Sequence, residues 1–175
     1  MKIARYYFEQ IFNSASDYAH FDMLINPVMI NLLFEENETK TPLQFNAKKA
    51  YFSISKSNGI NDVLKFILNN FCISESIKMF ANFHHGEVCN VVLNHIETSK
   101  NCSKIVAKIL LRLTYFPANF TINLSEKAVN IKKWQDDKCL FTKYQLVNKY
   151  NPKIKFSIFI ERTLSYIEFE IKRIY

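Results

Sequence analysis

The sequence predicts an α+β fold in which an N-terminal helical layer packs on a C-terminal antiparallel β-sheet of four to five strands. Two observations predict it. Up to about residue 118 the apolar residues recur at intervals of three and four, the period of a helix with one buried face. From residue 119 they alternate with polar residues, the period of a strand with one watered face. A third observation bears on organisation. The chain of 175 residues has only two Gly and four Pro, and no linker long enough to demand a boundary. It therefore reads as one domain over 1–175, mainly helical over 1–118 and mainly β over 119–175.

The elements follow in order. Residues 2–14 carry Ile3, Tyr6, Tyr7 and Ile11 on one helical face. Asp22 is placed to cap a second helix through Leu24, Ile25, Val28, Met29, Leu32 and Leu33, with Pro27 in its first turn. The polar run 35–42 is a connector, and residues 43–55 fit a short helix or a strand. Asn58-Gly59 marks a turn. Asn61 then caps a helix whose apolar face is Val63, Leu64, Ile67, Leu68 and Phe71. Ser74 with Ile77 and Phe80 predicts a further short helix, and residues 84–96 another. A last helix starts at Asn101 or Ser103, shows Ile105, Ile109, Leu110 and Leu113 as its stripe, and is ended by Pro117. Strands are predicted over 119–125, 139–147, 153–161 and 166–175. The final two are joined as a hairpin through residues 162–165.

Several function classes lose their basis in the sequence. Two isolated glycines, Gly59 and Gly86, cannot form a glycine-rich phosphate loop or a dinucleotide fingerprint. No G-x-S-x-G elbow is present. No stretch reads as a signal peptide or a transmembrane helix, since the richest apolar run, 105–117, is broken by Lys108 and Arg112. Four cysteines without C-x-x-C spacing predict reduced thiols in an intracellular protein, cytoplasmic or in a host cytoplasm or nucleus.

The segment His84-His85-Gly86-Glu87-Val88-Cys89-Asn90-Val91-Val92-Leu93-Asn94-His95 concentrates the residues that could carry chemistry. On a helix, His85 and Cys89 meet at i,i+4, whereas His84 and His95 stand about 16 Å apart and cannot share a metal. The His85–Cys89 pair has the elements of a metal site or a nucleophilic dyad. Its valine-rich surroundings instead predict a packed structural helix. No catalytic, cofactor-binding or metal-ligating residue is therefore assigned, and no cofactor is expected. The triplet Glu170-Ile171-Lys172 resembles the E-x-K half-motif of the restriction-like nuclease superfamily. That resemblance covers three residues and implies Mg²⁺ held by carboxylates, with the lysine assisting a water.

Net charge is +7, and it is concentrated. Residues 121–175 hold eleven basic and six acidic groups, an excess of five. Aromatic rings are interleaved with these lysines. Lys132, Lys133, Trp134, Lys143, Lys155, Phe159, Lys172 and Arg173 are the candidate interaction or nucleic-acid surface. The leading functional expectation is a non-enzymatic protein-interaction module. Its bias toward residues of AT-rich codons suits a viral, phage or parasite accessory protein acting on a host protein. Nucleic-acid binding by the basic aromatic sheet is the alternative, a Mg²⁺-dependent nuclease the second alternative, and homodimerisation through sheet edges a further expectation.

Overall fold

The computed structural model describes residues 2–12, 14–21, 27–34, 44–54, 60–82, 87–101, 105–114, 116, 122 and 124–174. Four helices are seen, α1 (Lys2–Phe12), α2 (Pro27–Phe34), α3 (Ile60–Asn70) and α4 (Glu87–Thr98). They alternate with β1 (Ala15–Phe21), β2 (Phe45–Ile54), β3 (Phe71–Asn82) and β4 (Lys108–Thr114). Then come β5 (Val129–Gln135), β6 (Leu140–Val147), β7 (Lys155–Arg162) and β8 (Tyr166–Ile174). All eight strands form one sheet in the order β1-β2-β3-β4-β8-β7-β6-β5. Strands β1 to β4 are parallel, and β4, β8, β7, β6 and β5 pair antiparallel.

This corrects the predicted fold. The first 118 residues are not a helical layer on a sheet of four to five strands. They contribute half of a mixed eight-stranded sheet, wound as successive βαβ units. Three of the predicted helices bear on that correction. The helix over 61–71 is present as α3, although Phe71 begins the next strand. The short helix from Ser74 is the middle of β3, and the stripe Ile105, Ile109, Leu110 and Leu113 belongs largely to β4. In a run such as "KILLRLT" both faces are apolar enough to satisfy either period. The ambiguous 43–55 segment is β2. Its alternation is broken because Lys48 and Lys49 are both exposed, next to a register shift between Ala47 and Lys49.

In the C-terminal part, β6, β7 and β8 lie where predicted. The β7–β8 hairpin turns on Thr163, whose Oγ1 accepts the amide N–H groups of Ser165 (3.1 Å) and Tyr166 (3.0 Å). The predicted strand over 119–125 falls mostly outside the described residues, as does the Asp22 cap. Its described members Ile122, Leu124 and Ser125 are not in a strand. The edge strand is instead β5. It carries a register shift between Val129 and Lys132, with Asn130 at φ 57°. A bulge and two lysines on this edge blunt its capacity to pair with another chain.

The order of the first four strands positions everything else. Each crossover steps the same way, and right-handed crossovers then place their helices on one side of the sheet. The core agrees. Val63, Leu64 and Ile67 of α3 and Val88, Val92 and Ile96 of α4 join one buried cluster with Phe52, Met79, Leu111, Ile158 and Phe169. Because the winding never reverses, no switch point opens the crevice that doubly wound α/β sheets use for ligands. No helix among the described residues is long and apolar enough to cross a membrane.

Two buried polar groups stand out within this core. Asn148 is 1% exposed and joins the end of α4 to the β6–β7 turn. Its Nδ2 donates to the carbonyls of Ile96 (2.8 Å) and Ser99 (3.0 Å), and its Oδ1 accepts from the amides of Tyr150 and Asn151, both at 2.9 Å. Tyr144 is wholly buried, and its hydroxyl has no hydrogen-bond partner among the described residues. Burial, with the Glu97 charge beside it, raises its phenol well above the usual range. Removing an unsatisfied buried hydroxyl relieves its desolvation cost. Tyr144→Phe is therefore expected to raise stability by about 1 kcal/mol. Urea denaturation checks this, and a loss of stability would show that the hydroxyl has a partner.

Candidate functional site: the open face of the sheet

The face opposite the helices carries no helix among the described residues, and its cross-strand register brings side chains into two long rows. One row runs His20, Tyr51, Lys78, Leu110, Glu170, Phe159, Lys143 and Lys132. The next runs Ser53, Phe80, Arg112, Glu168, Glu161, Phe141 and Trp134. Strand alternation dictates this placement, since on β2 to β4 and β6 to β8 the residues one position away point to the core side, while every residue of the edge strand β5 is exposed.

Each end of the face carries aromatic rings. At the β5–β7 end, Trp134 stacks on Phe141 with centroids 5.4 Å apart and 18° between planes. Phe141 stacks in turn on Phe159 at 5.9 Å and 24°. Trp134 also lies 6.1 Å from Phe159 at 39°, so the three rings form one cluster, and Trp134, at the sheet edge, is 45% exposed. At the β1–β3 end, Tyr51 stacks on Phe80 at 5.1 Å and 25°, and His20 meets Tyr51 edge-on at 4.3 Å.

A belt of paired charges lies between them. Arg112 contacts Glu168 Oε2 through Nη2 (2.6 Å) and Nε (2.7 Å), and its guanidinium lies over the rings of Tyr166 (4.7 Å) and Phe80 (5.6 Å). The Tyr166 hydroxyl donates to Glu161 Oε1 at 2.6 Å, and that bond, more than burial, raises its phenol. Glu170 is clamped by Lys108 (2.6 Å, on Oε1) and Lys172 (3.0 Å, on Oε2). Burial would raise its carboxyl, but the two lysine contacts outweigh burial and lower it.

Six of the eight predicted surface residues share this face: Lys132, Trp134, Lys143, Lys155, Phe159 and Lys172. The other two do not. Lys133 pairs with Thr142 and Arg173 with Phe156, which puts both on the helix-bearing side. The sequence reading missed Tyr51, Phe80, Phe141 and Arg112. Alternation within β2 could have found Tyr51, because Ala50, Phe52 and Ile54 are the buried partners that leave Tyr51 outward.

The other chemical candidates come out differently. The E-x-K triplet has both oxygens of Glu170 occupied by lysines, so a metal ion would have to displace one of them. No group of three or more His, Cys, Asp or Glu side chains gathers in a metal-binding arrangement among the described residues. His84 and His85 lie outside the described residues. Cys89 is buried in α4, where burial pushes its thiol up to about 12, so it is a neutral packing group at physiological pH. His95, in the last turn of α4, is held below the usual imidazole range by burial.

Residues 1–84 match the family model described as a domain of unknown function (DUF8381). That stretch spans α1 through β3, so it includes Tyr51 and Phe80 and excludes the Trp134 cluster. No curated protein and no solved structure matches the chain.

Proposed function

We propose that the chain is a non-enzymatic binding module that holds single-stranded nucleic acid on the open face of its sheet. One observation carries this reading: Trp134, Phe141 and Phe159 form a three-ring cluster, its indole half-exposed at the sheet edge, with Lys132, Lys143 and Lys155 on the same face. None of these three lysines makes an ion pair among the described residues, in contrast to the lysines around Glu170. A base stacks on the exposed part of the indole, worth about 1–3 kcal/mol, while lysines attract the phosphates without reading sequence. The unbridged thiols of Cys72, Cys89 and Cys139 support placing this activity in a reducing, intracellular compartment.

Tryptophan fluorescence tests it, because Trp134 is the one Trp in the chain. An oligothymidylate of about sixteen nucleotides is expected to quench the emission at low salt. Three neutralised phosphates should give a slope of about −2 in log K against log salt. Trp134→Ala, followed by anisotropy of a labelled oligonucleotide, is expected to weaken binding about 10- to 100-fold. Absence of binding at low salt sinks the proposal.

A protein partner is a second reading, and a separate observation favours it. Helices α1 and α2 leave Ile3, Tyr6, Tyr7, Val28, Met29 and Leu32 largely exposed, an apolar surface of the kind that protein interfaces cover. The binding measurement on Trp134→Ala separates the two, since that substitution leaves α1 and α2 untouched.

A further inference from the structure

We infer a second base-stacking station at the far end of the same face, formed by Tyr51 and Phe80 with Lys78 beside them, so that a bound single strand crosses the β-strands from Trp134 toward Tyr51. The inference rests on the reading of the open face as a nucleic-acid surface.

The two ends are built alike. Tyr51 and Phe80 are stacked and half-buried, as Phe141 and Phe159 are. Lys78 is the cross-strand partner of Tyr51, as Lys143 is of Phe159. Lys78 is exposed and makes no ion pair among the described residues. A ring pair and a cation for the adjoining phosphate therefore recur on the same face, here with Arg112 over Phe80 and His20 edge-on to Tyr51 bordering the rings.

The belt between them has a different balance. Lys108, Arg112 and Lys172 match Glu161, Glu168 and Glu170 in number, so this part of the face is close to neutral. Phosphate attraction is therefore greatest at the two ends and weak across the middle. Charge complementarity selects a polyanion long enough to reach both ends over one that sits in the centre.

The sheet fixes the span. Tyr51 and Trp134 are separated by six strand spacings, β2 to β3, β4, β8, β7, β6 and β5. At about 4.8 Å each this is about 29 Å, roughly eight to nine nucleotides at the stacked rise of ~3.4 Å and fewer if the strand is extended. Such a site size falls within the range of other sheet-based single-strand binders.

The test compares labelled oligothymidylates of about four and about sixteen nucleotides on the full chain. The longer probe is expected to bind at least about 10-fold more tightly than the shorter. Tyr51→Leu and Lys78→Gln should each weaken the longer probe, Tyr51→Leu by about 10-fold, and leave the shorter one unchanged. Trp134→Ala should weaken both. Lys78→Gln alters only an exposed side chain, so its result stands even if Tyr51→Leu disturbs the fold. If neither substitution affects the longer probe while Trp134→Ala still does, the second station is wrong and the open-face reading survives. If the wild-type chain binds neither probe, or binds a protein on this face instead, both fall.

Discussion

Replacing Phe52 by alanine is expected to destabilise the fold by about 3–5 kcal/mol. The melting temperature of a chain this size should then fall by roughly 6–20 °C. The size of the effect follows from where the ring sits. Phe52 is 1% exposed and lies face to face with Phe21 at 5.1 Å and 7°, and edge-on to Phe71 at 5.1 Å and 85°. Phe45 contacts Phe21 and Phe71 in turn, which closes a four-ring cluster across β1, β2 and β3. Removing this ring takes a packing partner from both Phe21 and Phe71, and neighbours on parallel strands cannot collapse into the space. Thermal and urea unfolding followed by far-UV dichroism check the value. Phe52→Leu should lose less, because it keeps most of the buried volume. An equal loss in the two variants would mean that the cluster is not packed as described.

Asn148→Ala is expected to cost about 3 kcal/mol, a drop in melting temperature of roughly 6–12 °C. The side chain makes four hydrogen bonds from a position 1% exposed, and two of them satisfy carbonyls at and just beyond the end of α4. Each bond contributes on the order of 1 kcal/mol, and the buried Ile96 carbonyl left behind adds its own desolvation cost. Nearby contacts limit the damage. The Lys149 amide donates to the Glu97 carbonyl at 2.7 Å, and the Glu97 carboxylate accepts from Lys127 (2.8 Å) and Ser125 (3.0 Å). Hydrogen exchange separates this mechanism from general loosening. Amides in the last turn of α4 and in the turn at 148–151 should lose protection before those of β3 and β8.

The parts of this fold that were legible in the sequence are those where one period dominates. In β7 and β8 every second residue is apolar, one face is wet, and the strands and hairpin follow directly. Helix α3 was legible because Val63, Leu64, Ile67 and Leu68 cannot be read with period two. The parallel strands hid for physical reasons. In β3 the buried residues Phe71, Ile73, Ile77 and Met79 straddle an irregular stretch at Ser74–Ser76, leaving Ile77 and Phe80 at a helical interval. In β4, Leu110 and Arg112 are half-buried among the rings and ion pairs of the open face, so the strand lacks the polar alternation that marks a wet surface.

The candidate site was half legible for the same reason. Its basic aromatic end was visible because Lys143 and Phe159 lie on alternating strands and Trp134 follows two lysines, although β5, which carries it, shows no alternation. Its other end lies on β2 and β3, where Tyr51 and Phe80 looked like members of a helical or mixed core. Pairing of β4 with β8 is what joins them. No local pattern announces a contact between residues such as Arg112 and Glu168, which are 56 positions apart.

That same β4–β8 pairing has a kinetic consequence. Strands β6, β7 and β8 are joined by short turns, so their pairing closes small loops and can form early. The four parallel strands need three crossovers to close before their ladder bonds reward them. The C-terminal meander is thus the natural template, and β8 offers the free edge to which β4 is added. The rest of the parallel half can then be laid down from β4 outward, β3 before β2 and β2 before β1, in the reverse of the order in which the chain is synthesised.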